Sequence, residues 1–433
     1  MLLPFAFSIA MVAFSPATQA APTEMVIRLN VQPMAAPKPA LRYLLLPELK
    51  EMTPGNPIEG YLKCLLDQDF FVERESLGRA ALRQADRAAR MDKPDWQILL
   101  KLKSDGVNLL LPDVQKFRVL AAGLQERFRS EIAQGHFNEA IVTAKTMFAM
   151  SRHMGEHPTL IGDLVGIAIA HIAFVPLEEM LEKPGCPNLY WALTNLPNPL
   201  VPLERGMEGE RVMIQAELRD LDDTNPMTPA QLKKLIAHID QLREERSRKD
   251  GTRAWLDART KDPVLLEAAR SRLVEYGIPE ERLLKFPAEQ LLLLDERREF
   301  EVRRDEIMKL MSLPTWQIEE HVSRIVSDKT KEKALLGSLA SAIEKVRRAQ
   351  GRVEQRIALL RHVEAIRLYA AEHKGQLPEK LSDITVPLPV DPFTGKTFRY
   401  TLEGATAHLR GNPPPGAESI PAYNLHYEIT IKK

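Results

Sequence analysis

A chain of 433 residues is too long for one small domain and leaves room for about two or three. With 44% hydrophobic and 27% charged residues it can bury a core, which excludes global disorder. Lys+Arg and Asp+Glu both number 59, so no long-range field favours nucleic acid, an anionic membrane surface or a charged substrate. Only 6% of residues are aromatic while Pro numbers 32, a balance that fits helices punctuated by proline better than a sandwich or barrel.

The first segment, residues 1–20, stands apart. An apolar run from Met1 to Phe14 is followed by Ser15-Pro16 and the small residues Ala17-Thr18-Gln19-Ala20, the pattern of a signal peptide cut after Ala20. The run is too short to span a bilayer core of about 30 Å comfortably, so no stable membrane span is expected after its removal. Pro22, Pro33, Pro37 and Pro39 mark residues 21–40 as a linker. An exported chain could join its two cysteines, Cys64 and Cys186, in a disulfide; two separate buried thiols are the equal alternative.

Residues 41–202 read as helices broken by Pro and Gly. Phe117, Leu120, Leu124, Phe128 and Ile132 recur every three or four residues and predict one helix over 113–134. After Gly135-His136 a second stripe, Phe137, Ala140, Ile141, Ala144, Met147, Phe148 and Ser151, predicts an antiparallel helical hairpin. Gly135 supplies the left-handed helix end, Phe137 fills the gap between helices and Ala140 permits close approach. The run Gln134-Gly135-His136-Phe137-Asn138-Glu139-Ala140-Ile141 resembles the turn and second-helix start of a tetratricopeptide repeat. That resemblance covers one hairpin and implies stacked helical pairs. Next, Leu164–Val175 is nearly all apolar, with Gly162, Gly166 and Ala170 four apart; Asp163, His171 and Pro176 argue for a helix buried among others and not for a membrane helix.

Residues 203–351 form a charged long-helix region. Mixed-sign runs such as Arg243-Glu244-Glu245-Arg246 and Asp295-Glu296-Arg297-Arg298 predict solvated faces with weak pairs one turn apart. Breaks are expected at Pro226, Pro279, Pro287 and Pro314.

From about Arg352 the pattern changes to a helix bearing Leu359, Val363, Ile366 and Ala370. It then alternates with strand period through Phe398, Tyr400 and Leu402 and through Tyr423, Leu425, Tyr427, Ile429 and Ile431. A separate α+β module with an antiparallel sheet is predicted over 352–433. Leu368-Tyr369, then Gly375-Gln376-Leu377-Pro378, then Val390-Asp391-Pro392-Phe393-Thr394-Gly395 before a tyrosine-bearing strand resemble the periplasmic part of type II secretion major pseudopilins. The pseudopilin methylation motif and long membrane helix have no counterpart, so the resemblance implies a shared module. The whole chain is also similar to a group of uncharacterised exported bacterial proteins. The expected fold class is therefore mainly α: helical hairpins of solenoid or bundle type, plus the small C-terminal module.

Chemical signals are few. His153-Met154-Gly155-Glu156-His157 fits the H-x-x-E-H pattern of inverted zinc peptidases, with Glu156 as general base. Gly155 and Pro158 place it at a helix terminus, where the imidazoles diverge. Met147, Met150 and Met154 match the buried stripe better than a soft-metal site. Asp391 could help bind calcium, as the pseudopilin resemblance implies, or cap an Asp-Pro turn closed by Gly395. No phosphate-binding loop, nucleophile elbow or dinucleotide fingerprint occurs. The reading is an exported, non-enzymatic scaffold for an unknown protein partner, with no cofactor, no metal and no nucleic acid. The alternatives are a zinc-dependent hydrolase and a secretion or envelope accessory.

Overall fold

The computed structural model describes residues 24–66, 79–244, 251–326 and 339–432; the expected signal segment with Ala20 lies outside the described residues. Strand β1 (Met25–Val31) leads into helices α1 (Pro57–Leu66), α2 (Arg79–Ala88) and α3 (Leu99–Asp105). The expected hairpin follows as α4 (Pro112–Ala133) and α5 (Phe137–Met154). Its turn is set by Gly135 at φ +71°, with the His136 amide donating to the Glu131 carbonyl (2.9 Å) and the Gly135 amide to Ile132 (3.1 Å). Those two bonds satisfy carbonyls that the helix end would leave open. The apolar stripes face one another, and Phe117, Leu124, Phe128, Ala140, Ala144, Met147 and Phe148 are all inaccessible to solvent. A polar seam ties the hairpin to α2: Arg127 makes a bidentate pair with Asp86 (2.7 and 2.9 Å) and reaches Thr143 (2.9 Å).

Helix α6 (Leu160–Leu181) packs against both helices of the hairpin. It is long and apolar enough to cross a membrane by length and composition, and most of its side chains are buried inside the protein. Thr159 caps it by accepting from the Gly162 amide (3.3 Å). The small residues permit close contact: a Cβ on Gly166 would lie 2.8 Å from the Ser151 carbonyl. Cys64 and Cys186 are separate buried thiols, not a disulfide, and burial pushes the Cys186 thiol up to about 12.

After the short α7 (Tyr190–Thr194) comes the charged region: α8 (Glu204–Glu217), α9 (Pro229–Glu244), α10 (Thr252–Arg259), α11 (Pro263–Glu275), α12 (Glu280–Leu283), α13 (Ala288–Met308) and α14 (Thr315–Val326). All four expected proline breaks fall between helices. Residues from Ile214 to Phe300 build a second hydrophobic core of their own. Buried Gln290 fastens the Asn225-Pro226 turn: it accepts from the Met227 amide (2.8 Å) and donates to the Asp222 and Asn225 carbonyls (2.7 and 2.9 Å). The charges are less solvated than their mixed signs suggest. Asp295, Arg303 and Arg304 are buried, and Asp295 takes a bidentate pair from Arg272 (2.6 and 2.9 Å).

The longest element is α15 (Leu339–Glu372), followed by β2 (Arg399–Glu403), β3 (Thr406–Arg410) and β4 (Leu425–Ile431). The sheet order is β1-β4-β3-β2, with β1 parallel to β4 and the other pairs antiparallel. Three sequence expectations change here. Residues 21–40 are not simply a linker, because Ile27, Leu29 and Val31 alternate inward and carry β1 onto the sheet edge. The sheet is consequently mixed and not antiparallel. The boundary at 351/352 falls inside α15, and the C-terminal module shares one core with the hairpin instead of forming a separate cap.

Gly351, the last residue of the expected charged region, sits mid-helix for a steric reason: a Cβ there would come 2.8 Å from the Phe393 ring and 3.3 Å from Thr315. Gly351→Val should therefore lower stability by about 1–3 kcal/mol, seen as a lower urea midpoint at unchanged slope. An unchanged midpoint would show that Phe393 yields.

Candidate functional site

The H-x-x-E-H residues are placed by the end of α5. The helix stops at Met154 with Gly155 as its cap, so His153 is on the last turn while Glu156 and His157 lie beyond it. His153 Nδ1 is 3.1 Å from the Tyr61 hydroxyl, and His157 Nδ1 is 2.9 Å from Thr159 Oγ1. Thr159 Oγ1 also accepts from the Gly162 amide, while His157 Nε2 is buried without a hydrogen-bond partner. Trp96 stands edge-on to the His157 ring (4.4 Å between centroids) and donates Nε1–H to the His153 carbonyl (3.3 Å). Glu156 instead faces Arg205 across 4.0 Å. Burial brings both imidazoles down to about 4, so they are neutral packing groups around Trp96. The three side chains do not form a metal-chelating group, and the zinc-hydrolase alternative receives no geometric support.

Nearby Asp163 is fully buried at the start of α6, and neither carboxylate oxygen has a hydrogen-bond partner. Burial, with the charges of Glu210, Glu204 and Glu156 behind it, raises its pKa well above the usual carboxylate range.

Asp391 also belongs to packing. Its carboxylate accepts from the Phe393 amide (2.9 Å), the Asn412 amide (2.7 Å) and Asn412 Nδ2 (3.0 Å), with Gln355 Nε2 at 3.2 Å. Gly395 closes the turn at φ +66° and lies under Trp316, where a Cβ would be 2.7 Å from the ring. The Val390–Gly395 motif thus plugs between α14 and α15, and its donors take up the oxygens a calcium ion would need.

The same plug forms one wall of a cleft of about 530 Å³. The other walls are the loop Leu193–Pro199, the segment Met311–Trp316 entering α14, and the face of α15 that carries Arg347, Gln350, Glu354 and Arg361. Five prolines (Pro197, Pro199, Pro314, Pro389 and Pro392) stiffen its rim. Trp316 and Val390 remain 44% and 47% exposed on that rim, an apolar surface of the kind that marks a contact site. On the floor, Arg347 pairs with Glu354 (2.7 Å) and Gln350 donates to the Val201 carbonyl (2.6 Å). Arg361 differs: its guanidinium lies 5.7 Å from the Tyr190 ring centroid, its Nε is buried without a hydrogen-bond partner, and no carboxylate pairs with it among the described residues. Among the described residues the wall contains no histidine or cysteine, so it offers packing and one unmet cation.

Of those prolines the sequence marks Pro314 as a break and Pro392 as part of the Val390–Gly395 motif, and their convergence depends on the fold. Arg361 carried no signal of its own; its only local hint is its position among the apolar residues Leu359, Leu360 and Val363. Compared with known proteins, the chain matches no family model, no curated protein and no solved structure.

Proposed function

We propose that the chain is an exported, non-enzymatic protein that acts by protein–protein contact, and that the cleft beside α15 holds an extended segment of its partner. The observation that carries this reading is the pairing of a proline-stiffened apolar rim with Arg361, a cation lacking a carboxylate partner among the described residues. An extended segment would lay apolar side chains on Trp316 and Val390 and bring a carboxylate to Arg361, where a charge-assisted bond in a partly desolvated wall is strong. Export is supported by the signal-like pattern of residues 1–20.

A photocrosslinking residue at Val390, compared with one at exposed Leu110 away from the cleft, tests the reading in the native host. A discrete adduct at Val390 alone, reduced at least about tenfold by Arg361→Glu, is the expected result. Identical adducts at both positions, or an adduct indifferent to Arg361→Glu, would sink it.

A further inference from the structure

The face of the sheet turned away from the hydrophobic core carries a side-chain group outside the cleft, with His426 buried and His408 and Glu428 half-buried. The β3–β4 register sets His408 opposite Glu428 and Arg410 opposite His426, so two imidazoles and a carboxylate from neighbouring strands share one face. Their ligand atoms all lie within 4.8 Å of one another, and this is the one such group among the described residues. His408 Nδ1 is 3.0 Å from His426 Nε2. A tetrahedral zinc ion with bonds of about 2.0–2.1 Å holds two nitrogens about 3.3 Å apart, so the rings already stand close to chelating separation.

Each imidazole also has a carboxylate behind it. His426 Nδ1 is 2.9 Å from Glu24 Oε2, and His408 Nε2 is 3.7 Å from Glu403 Oε2. The Glu24 contact keeps the His426 proton on Nδ1 and turns the Nε2 lone pair toward His408. Carboxylates in that outer position orient and strengthen metal-binding imidazoles. Among the described residues Glu428 is engaged only by Arg28 (2.8 Å), whose side chain is 76% exposed, a surface pair that exchanges at little cost.

We propose that His408, His426 and Glu428 bind a late first-row divalent metal ion, zinc being the default. A fourth position would remain for water, and Glu24 would act as a positioning residue. Two imidazoles and one carboxylate suit zinc and its neighbours and do not suit magnesium or calcium, which require an oxygen shell. Because Glu24 precedes β1 while the ligands sit on β3 and β4, the ion would brace three strands at once.

Titration of the purified full chain with zinc chloride against a chromophoric chelator tests this. The expected result is one equivalent bound, a raised thermal midpoint, slower amide exchange in β1, and no such response to magnesium. His408→Gln and Glu428→Gln should each weaken zinc at least about tenfold, and Glu24→Gln about tenfold. Glu428 faces an exposed arginine, so Glu428→Gln keeps the fold and remains decisive should His408→Gln fail to fold. Absence of saturable binding, or zinc affinity unchanged in Glu428→Gln and Glu24→Gln, would overturn the proposal.

Discussion

Arg367→Met should remove about 3–5 kcal/mol of folding stability, a large part of the about 5–15 kcal/mol that a domain commands. Arg367 is the largest fully buried side chain among the described residues. Its guanidinium pairs with equally buried Glu364 (2.9 Å) and donates to the carbonyls of Gln32 (3.0 Å), Cys186 (2.8 Å) and Pro187 (3.4 Å). Glu364 in turn accepts from Asn188 Nδ2 (2.7 Å) and the Leu189 amide (3.0 Å). One ion pair on α15 therefore holds the segment after β1, the turn after α6 and the start of α7. Methionine keeps the volume and helix propensity but leaves a carboxylate and three carbonyls short of a donor. The double variant Arg367→Met with Glu364→Gln removes both charges and should recover part of the loss, because the unmatched charge is the main penalty. Urea unfolding followed by circular dichroism measures all three proteins. A cost below about 1 kcal/mol for Arg367→Met would mean that water reaches the pair.

Acidification from pH 7 to 5 should cost about 2 kcal/mol for each fully buried neutral histidine. His157 and His362 are each 1% exposed, and burial lowers both to about 4 from the ordinary 6.5. In the unfolded chain each takes a proton as pH falls through 6.5, while the fold refuses it until about 4. The stability from this term is thus fully present above 6.5 and drains away between 6.5 and 4. His153 and His171 shift the same way but are less enclosed by accessible surface, so they add less. Asp163 has the opposite sign: its raised pKa makes burial least costly in acid and more costly as pH rises. The histidine term is therefore read as a difference. The loss between pH 7 and 5 should shrink by about 2 kcal/mol in His362→Leu, whose ring stands edge-on to Phe398 at 4.9 Å and leaves a space leucine can fill. An identical pH slope in the variant and the parent would remove the argument.

What was legible in the sequence was local. The stripes of α4 and α5, the left-handed Gly135 between them, the buried α6 and the alternation of β2 and β4 are each contained within a few turns or residues, and each stands in the structure. What escaped depends on distant partners. The alternation of Ile27, Leu29 and Val31 with Arg28 and Asn30 was present, but the prolines around it masked it, and its partner β4 begins at Leu425. Gly351 is ambiguous without Phe393 beside it. Arg347, Arg356, Glu364 and Arg367 were indistinguishable from surface charges, although Arg356 meets Glu178 at 2.6 Å inside the core. For His408 and His426, residue spacing says nothing until the strand register aligns them.

The pairing of Met25 with Leu425 has a consequence for the order of assembly. During synthesis β1 leaves the ribosome first among the described elements, yet its hydrogen-bonding partner is the last to appear. Until then β1 is an unmatched strand, and once β2 to β4 have formed, β4 presents a bare edge. Closing a loop of that length costs about 5 kcal/mol of chain entropy, which the seven-residue ladder and the contacts of Leu29 and Val31 must exceed. Strand β1 should thus be the final piece to dock and an early one to leave, and a chaperone that guards such an edge would find its substrate in that interval.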